Sequence, residues 1–112
     1  MESSVIRVDM DRISDWDSFH QVFKEELGFP DFYGRNMDAW IDCMSSLDYP
    51  EHGLSTVHVG KGEVLTMHLD HAKEFKERCP ELFSSLTESA AFVNWRRTDK
   101  GRPAVLALSF RA

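Results

Sequence analysis

A chain of 112 residues with a 42% apolar fraction has the size and composition of one soluble domain, expected to span residues 1–112. Its formal charge of -6 disfavours non-specific binding to nucleic acid or anionic membranes and favours basic proteins or cations as partners. The start Met1-Glu2-Ser3-Ser4-Val5-Ile6 lacks a basic segment leading into a long apolar stretch, and no later run approaches the ~18 apolar residues of a membrane span. A cytoplasmic protein is expected. Cys43 and Cys79 are too few for a disulfide framework and have no CxxC spacing, so both are expected to be free thiols, Cys43 as a small semi-buried hydrophobe.

Val5 to Asp9 reads as a first strand. Ser14, with Asp17 three residues later, predicts a capping-box-like helix start, and Trp16, Phe19, Val22, Phe23 and Leu27 keep one face apolar until Gly28 stops the helix. Phe29-Pro30 forces an extended exit, Tyr33-Gly34 turns the chain, and Asn36 caps a second helix running to about Ser46. At roughly 100° per residue its apolar face is Met37, Trp40, Ile41 and Met44, with Asp38 and Asp42 well off to the side. Two β-rich runs, 54–59 and 63–69, flank Gly60-Lys61-Gly62 and predict a hairpin whose second strand is central. Asp70 is placed to cap a short helix through Arg78. Pro80 then opens a longer one with Leu82, Phe83, Leu86, Ala90 and Val93 as its buried stripe, ended by Asp99-Lys100-Gly101-Arg102-Pro103. Residues 104–110 are nearly continuously apolar, the pattern of a parallel strand covered on both faces. Strands alternating with helices predict an α/β fold.

Acid is concentrated in one place. Residues 25–51 hold Glu25, Glu26, Asp31, Asp38, Asp42, Asp48 and Glu51 against Arg35 alone, so this segment carries a charge equal to the imbalance of the whole chain. Like charges four apart on a helix cost ~0.2–0.5 kcal/mol, so the Asp38 and Asp42 pair is mildly unfavourable in isolation. It is open to four readings: general acid and base, metal ligands, phosphate mimics, or a solvated helix face. Trp95-Arg96-Arg97 with Lys100 and Arg102 forms a basic cluster whose composition could contact RNA, but basic residues in a last helical turn are expected to complement the helix dipole, and that reading is preferred. Of the histidines only His68 and His71 are close in sequence, without zincin spacing, and there is no Gly-rich phosphate loop or nucleophile elbow. No complete catalytic set can be assembled, so the chain is expected to be a non-enzyme without metal or cofactor.

The run from Phe19 to Cys43, followed by Tyr49-Pro50, resembles the barstar family of ribonuclease inhibitors, most closely over residues 19–50. The specific part is Pro30, Asp31, Phe32, Tyr33, Gly34, Asn36, Asp38-Ala39 and Asp42-Cys43. The resemblance implies a small parallel β-sheet flanked by helices, with strands near 5–9, 63–69 and 104–110, to which residues 54–59 would add an antiparallel edge strand. It also implies an intracellular inhibitor, monomeric when free, that plugs the active site of a basic secreted ribonuclease or related toxin protein. On that resemblance Asp38 and Asp42 take positions of RNA phosphates, Phe32 and Tyr33 match the two motif aromatics with Phe32 lying against the ribonuclease, and Gly34 and Asn36 shape the turn and cap. Ile41 stands where the family has a contacting Trp, while Trp40, one position earlier, is expected in the core. Arg96 falls near a last-helix contact Glu of the family. A basic residue there would repel a basic active site, which keeps open an alternative: an immunity or regulatory module for a different basic protein.

Overall fold

The computed structural model describes residues 4–110. In chain order it contains β1 (Ser4–Asp9), a 3-10 turn (Met10–Arg12), α1 (Trp16–Leu27), α2 (Met37–Met44), a second 3-10 turn (Pro50–His52), β2 (Leu65–Asp70), α3 (Ala72–Arg78), α4 (Pro80–Asp99) and β3 (Leu106–Phe110). The three strands form a parallel sheet in the order β1-β2-β3. An α/β fold with a small parallel sheet flanked by helices is therefore what the chain adopts.

Side chains alternate across a strand, and the register aligns the alternation from strand to strand. Val8 pairs with Leu69 and Leu65 with Leu106, placing all four on the buried side with Met67. The other side carries Arg7, Asp9, Thr66, His68, Asp70 and Ser109. There Arg7 donates to Asp70 at 3.2 Å, and His68 Nδ1 lies 3.1 Å from Ser109 Oγ. The prediction of a β3 covered on both faces is thus corrected: Ala107 is exposed and Leu106 buried. Single apolar residues on a solvent face are common, so a nearly continuous apolar run did not require a second covering layer.

The predicted antiparallel edge strand over 54–59 does not form. The Thr56 N–H donates to Leu27 O at 2.9 Å and the Val59 N–H to Leu47 O at 3.0 Å. Helix ends leave carbonyls without intrahelical partners, and these residues serve the end of α1 and the chain beyond α2 rather than a sheet edge. The segment straps across the helix ends. Gly28, at φ 65°, makes room for it, since a Cβ there would collide with the Thr56 side chain. The turn at Gly60 survives, with the Glu63 N–H donating to Gly60 O at 3.0 Å, but it leads the strap into β2.

Two predicted caps move by one residue. Asp15, not Ser14, caps α1: its carboxylate accepts from the Ser18 N–H at 2.8 Å while Ser18 Oγ accepts from the Asp15 N–H at 3.1 Å. Asp70 does not cap α3. It is drawn to Arg7, and His71, left-handed at φ 62°, precedes the helix without a side-chain cap. On α4, Leu82, Leu86, Ala90 and Val93 are buried and Phe83 half-buried. The Asn94 amide clips β3 in place, accepting from the Val105 and Leu106 N–H groups at 2.9 and 3.1 Å and donating to Leu106 O at 2.9 Å. Trp40 is fully buried, edge-on to Phe23 at 5.8 Å. None of the described helices is long and apolar enough to cross a membrane.

Candidate functional site

The acidic segment begins where α1 stops. The Gly28 and Phe29 N–H groups both turn back to Lys24 O, and the Tyr33 N–H donates to Pro30 O at 2.9 Å, closing a tight turn. This turn sends adjacent aromatics in opposite directions. Phe32 is 76% exposed and Tyr33 only 6%. The Tyr33 ring lies 4.8 Å from Phe29, and its hydroxyl meets His20 Nδ1 at 2.6 Å. Burial drives the Tyr33 phenol well above its ordinary value, and burial, helped by the charge of Arg35, lowers His20. Both groups are held neutral near pH 7, so the contact is a hydrogen bond between two uncharged groups.

Arg35, rather than Gly34, takes the left-handed conformation of the turn, at φ 52°. Its guanidinium ties the loop back to α1 through Asp17 Oδ1 at 2.9 Å, Asp17 O at 3.0 Å and Gln21 Oε1 at 3.2 Å. Asn36 caps α2 as predicted, accepting from the Ala39 N–H at 2.8 Å while its own amide donates to Gly34 O at 3.3 Å. The loop is therefore anchored at both ends before the helix begins.

On α2, Asp38 is exposed in the first turn, where the helix dipole favours a carboxylate, and it makes no hydrogen bond or ion pair among the described residues. Asp42, one turn later, is met by α4: Arg96 Nη1 and Nη2 both donate to Asp42 Oδ1 at 3.2 Å. Oδ2 accepts no hydrogen bond among the described residues, and the side chain is 66% exposed. Ile41 is half-buried against the core. Cys43 is buried, and burial, with the charge of Asp42 adding to it, pushes its thiol up to about 11, so it stays protonated and unreactive at neutral pH. A cavity of about 200 Å³ joins loop and helix, with Phe32, Tyr33, Gly34, Ala39, Asp42 and Leu54 in its walls. Of the predicted contact residues, Phe32, Gly34 and Asp42 thus share one notch and Tyr33 forms part of its wall from beneath the loop, whereas Asn36, Asp38 and Ile41 lie outside its lining, as the α2 cap, an exposed first-turn carboxylate and a half-buried core neighbour.

What sequence reasoning missed lies on α4. Arg97 is 3% exposed and Asp48 8%, and they form a bidentate pair at 2.9 and 2.8 Å. Arg97 also donates to Ser45 O and Pro103 O, each at 2.9 Å, so four of its five N–H donors are engaged. Burial opposes the Asp48 charge, but the hydrogen bonds and charge of Arg97 outweigh it and hold the carboxyl below its ordinary range. The acidic excess of the segment is largely met in the fold. Glu25 and Glu26 pair with Arg12, Asp31 with Lys24, Asp42 with Arg96 and Asp48 with Arg97, leaving Asp38 and Glu51 without an ion pair among the described residues. Partners this far apart in sequence leave no local signal.

Residues 3–109 match the family described as Barstar (barnase inhibitor). The chain belongs to the barstar family. It is also similar to a protein of Bacillus subtilis (strain 168) named "Putative ribonuclease inhibitor YrdF", 50% identical over 32 residues, which are 28% of this chain and 35% of that protein. The aligned stretch thus spans about a third of that relative. The parallel three-stranded sheet flanked by helices fits the barstar family, and the sequence resemblance over residues 19–50 is carried by the loop and α2 described above.

One other cluster could hold a cation. Asp9, Asp11 and His71 place ligand atoms within 4.8 Å of one another, all exposed. They are already engaged with one another: His71 Nδ1 lies 3.0 Å from Asp9 Oδ1 and 3.4 Å from Asp11 Oδ2. The hydrogen bond with Asp9, then the charge of Asp11, raises His71 above its ordinary value.

Proposed function

We propose that this chain is an intracellular inhibitor of a basic ribonuclease, binding as a monomer and occluding the enzyme's active site with the loop over residues 30–36 and α2, so that a cell making the enzyme is protected from it. The observation that carries this reading is the notch in which the exposed Phe32 and the carboxylate of Asp42 meet, built on the family's own motif. Asp38 and Asp42 act as fixed negative charges standing in for RNA phosphates, and no bond is made or broken. Rigidity supports the role. The Asn36 cap, the Arg35 anchor and the buried His20 and Tyr33 pair hold the surface in one shape, which lowers the ordering cost of association. Arg96 orients Asp42 through one oxygen and leaves the other for a partner's cation.

A second reading keeps the surface and changes the partner. Arg96 stands beside Asp42, so a partner must accommodate a guanidinium next to the carboxylate it engages, and a basic protein other than a barnase-type enzyme would meet that condition.

RNA cleavage by barnase and by a panel of other basic ribonucleases, titrated with the wild-type chain and with Asp42→Ala, tests both. Stoichiometric inhibition of at least one enzyme, lost in the variant, is expected. Failure to inhibit any of them, with capture of a basic protein that is not a nuclease, would establish the second reading instead.

A further inference from the structure

Beside the C-terminal ends of α2 and α4 lies a cavity of about 140 Å³ lined by Ser45, Ser46, Arg96, Arg97, Lys100 and Arg102. Each lining residue carries a hydroxyl, a guanidinium or an ammonium group. Two of the cations are met by carboxylates, Arg96 by Asp42 and Arg97 by Asp48, and Arg96 also donates to Ser45 Oγ at 2.7 Å. Arg102 lies over the Tyr49 ring at 4.8 Å and its charge reaches Asp48. Lys100 makes no ion pair among the described residues. His52 Nδ1, 3.0 Å from Ser46 Oγ, adds a further polar group at the rim. Four cations against two carboxylates and the negative ends of two helices, about half an elementary charge each, leave a small excess of positive charge around a polar cavity, in a chain whose net charge is -6.

We propose that this cavity binds a tetrahedral phosphoryl oxyanion, as free phosphate or as the terminal phosphate of a nucleotide. Guanidinium forks match phosphate oxygens in geometry, and hydrogen bonds to a charged acceptor are roughly twice as strong as neutral ones. An anion there relieves the repulsion among Arg96, Lys100 and Arg102. The site shares Arg96 with the proposed inhibitor surface but requires no ribonuclease, and is tested on the free protein.

The test follows backbone amide shifts while sodium phosphate is added, against sodium chloride at equal ionic strength. Saturable shifts confined to the amides of Ser45, Ser46 and residues 96–102 are expected, with affinity weakened at least tenfold in Lys100→Gln, an exposed position outside the core. The Lys61→Gln control, on the Gly60 turn, should bind as the wild type does. Uridine 5′-monophosphate against uridine separates the sources: the nucleotide binding more tightly than phosphate assigns the site to a nucleotide, equal binding assigns it to free phosphate. Shifts that do not saturate, that scatter over other basic residues, that persist in Lys100→Gln, or that uridine reproduces would overturn the proposal.

Discussion

Asp42 and Asp48 lie six positions apart and each meets an arginine of α4, the two arginines being neighbours, yet the pairs work differently. At the rim, Arg96 reaches one oxygen of Asp42, with the side chains 33% and 66% exposed. In the interior, Arg97 engages both oxygens of Asp48 and two backbone carbonyls as well. A buried charge is tolerated when it is paired and well hydrogen-bonded, whereas an exposed pair contributes about 0–1 kcal/mol and is readily given up. The interior pair therefore joins the chain after α2, α4 and the Pro103 turn into one body. The rim pair leaves a carboxylate that a partner can take. Charge of one sign, concentrated in one segment, thus divides into a structural part and a recognition part.

The hardest way to break this contrast is Asp48→Ala. It strands Arg97 without its counter-ion, and removing one member of a buried pair costs ~3–5 kcal/mol, a loss that denaturant unfolding would register. A change below ~1 kcal/mol would show that Asp48 belongs to the surface after all. Acid sharpens the same point. The folded Asp48 carboxyl sits below its ordinary 3.8, so its stabilisation is fully present above that value and is lost as pH falls through the folded pKa. Unfolding measured from pH 6 downward should show this acid loss in the wild type and in Asp42→Asn, and a reduced loss in Asp48→Asn.

Asp42→Ala is next. Truncating one partner of an interfacial charge pair typically costs ~2–5 kcal/mol, a range to which ribonuclease–inhibitor complexes themselves contribute. Calorimetry against the inhibited enzyme should show a loss of this size, while Glu51→Ala on the same acidic segment changes little and both variants melt near the wild type. Equal, small losses would remove Asp42 from the recognition half of the contrast.

The adjacent aromatics repeat the division on a smaller scale. Tyr33→Phe leaves the buried His20 nitrogen without its hydrogen-bond partner, and an unsatisfied buried polar atom costs ~1–3 kcal/mol. Phe32→Ala, at an exposed position, should stay within ~0.5 kcal/mol in stability while weakening the complex. Thermal melts of the two variants side by side decide it: a destabilised Phe32→Ala would mean that this ring supports the loop.

Much of the fold was legible in the chain itself, because helices and turns are specified by residues three or four apart. The apolar stripe of α1, the Asn36 cap, the Pro80 start of α4 and the burial of Trp40 all follow from such local patterns, while the three-stranded parallel sheet was expected from the family resemblance. So did the loop and α2 as the place to look. Tertiary structure decided the rest, since each remaining feature depends on which surfaces meet across long stretches of chain. The 54–59 run has strand propensity, but its backbone donors are claimed by carbonyls at Leu27 and Leu47, so it became a strap. Phe32 and Tyr33 are neighbours of similar size; the family resemblance placed Phe32 outward, and the ring that goes inside, Tyr33, is received by Phe29 and by His20 on α1. Arg96 and Arg97 read as a basic helix end. Their division into rim and interior rests on a turn of about 100° between adjacent helical residues, which aims one at Asp42 and the other at Asp48 once α2 and α4 pack together.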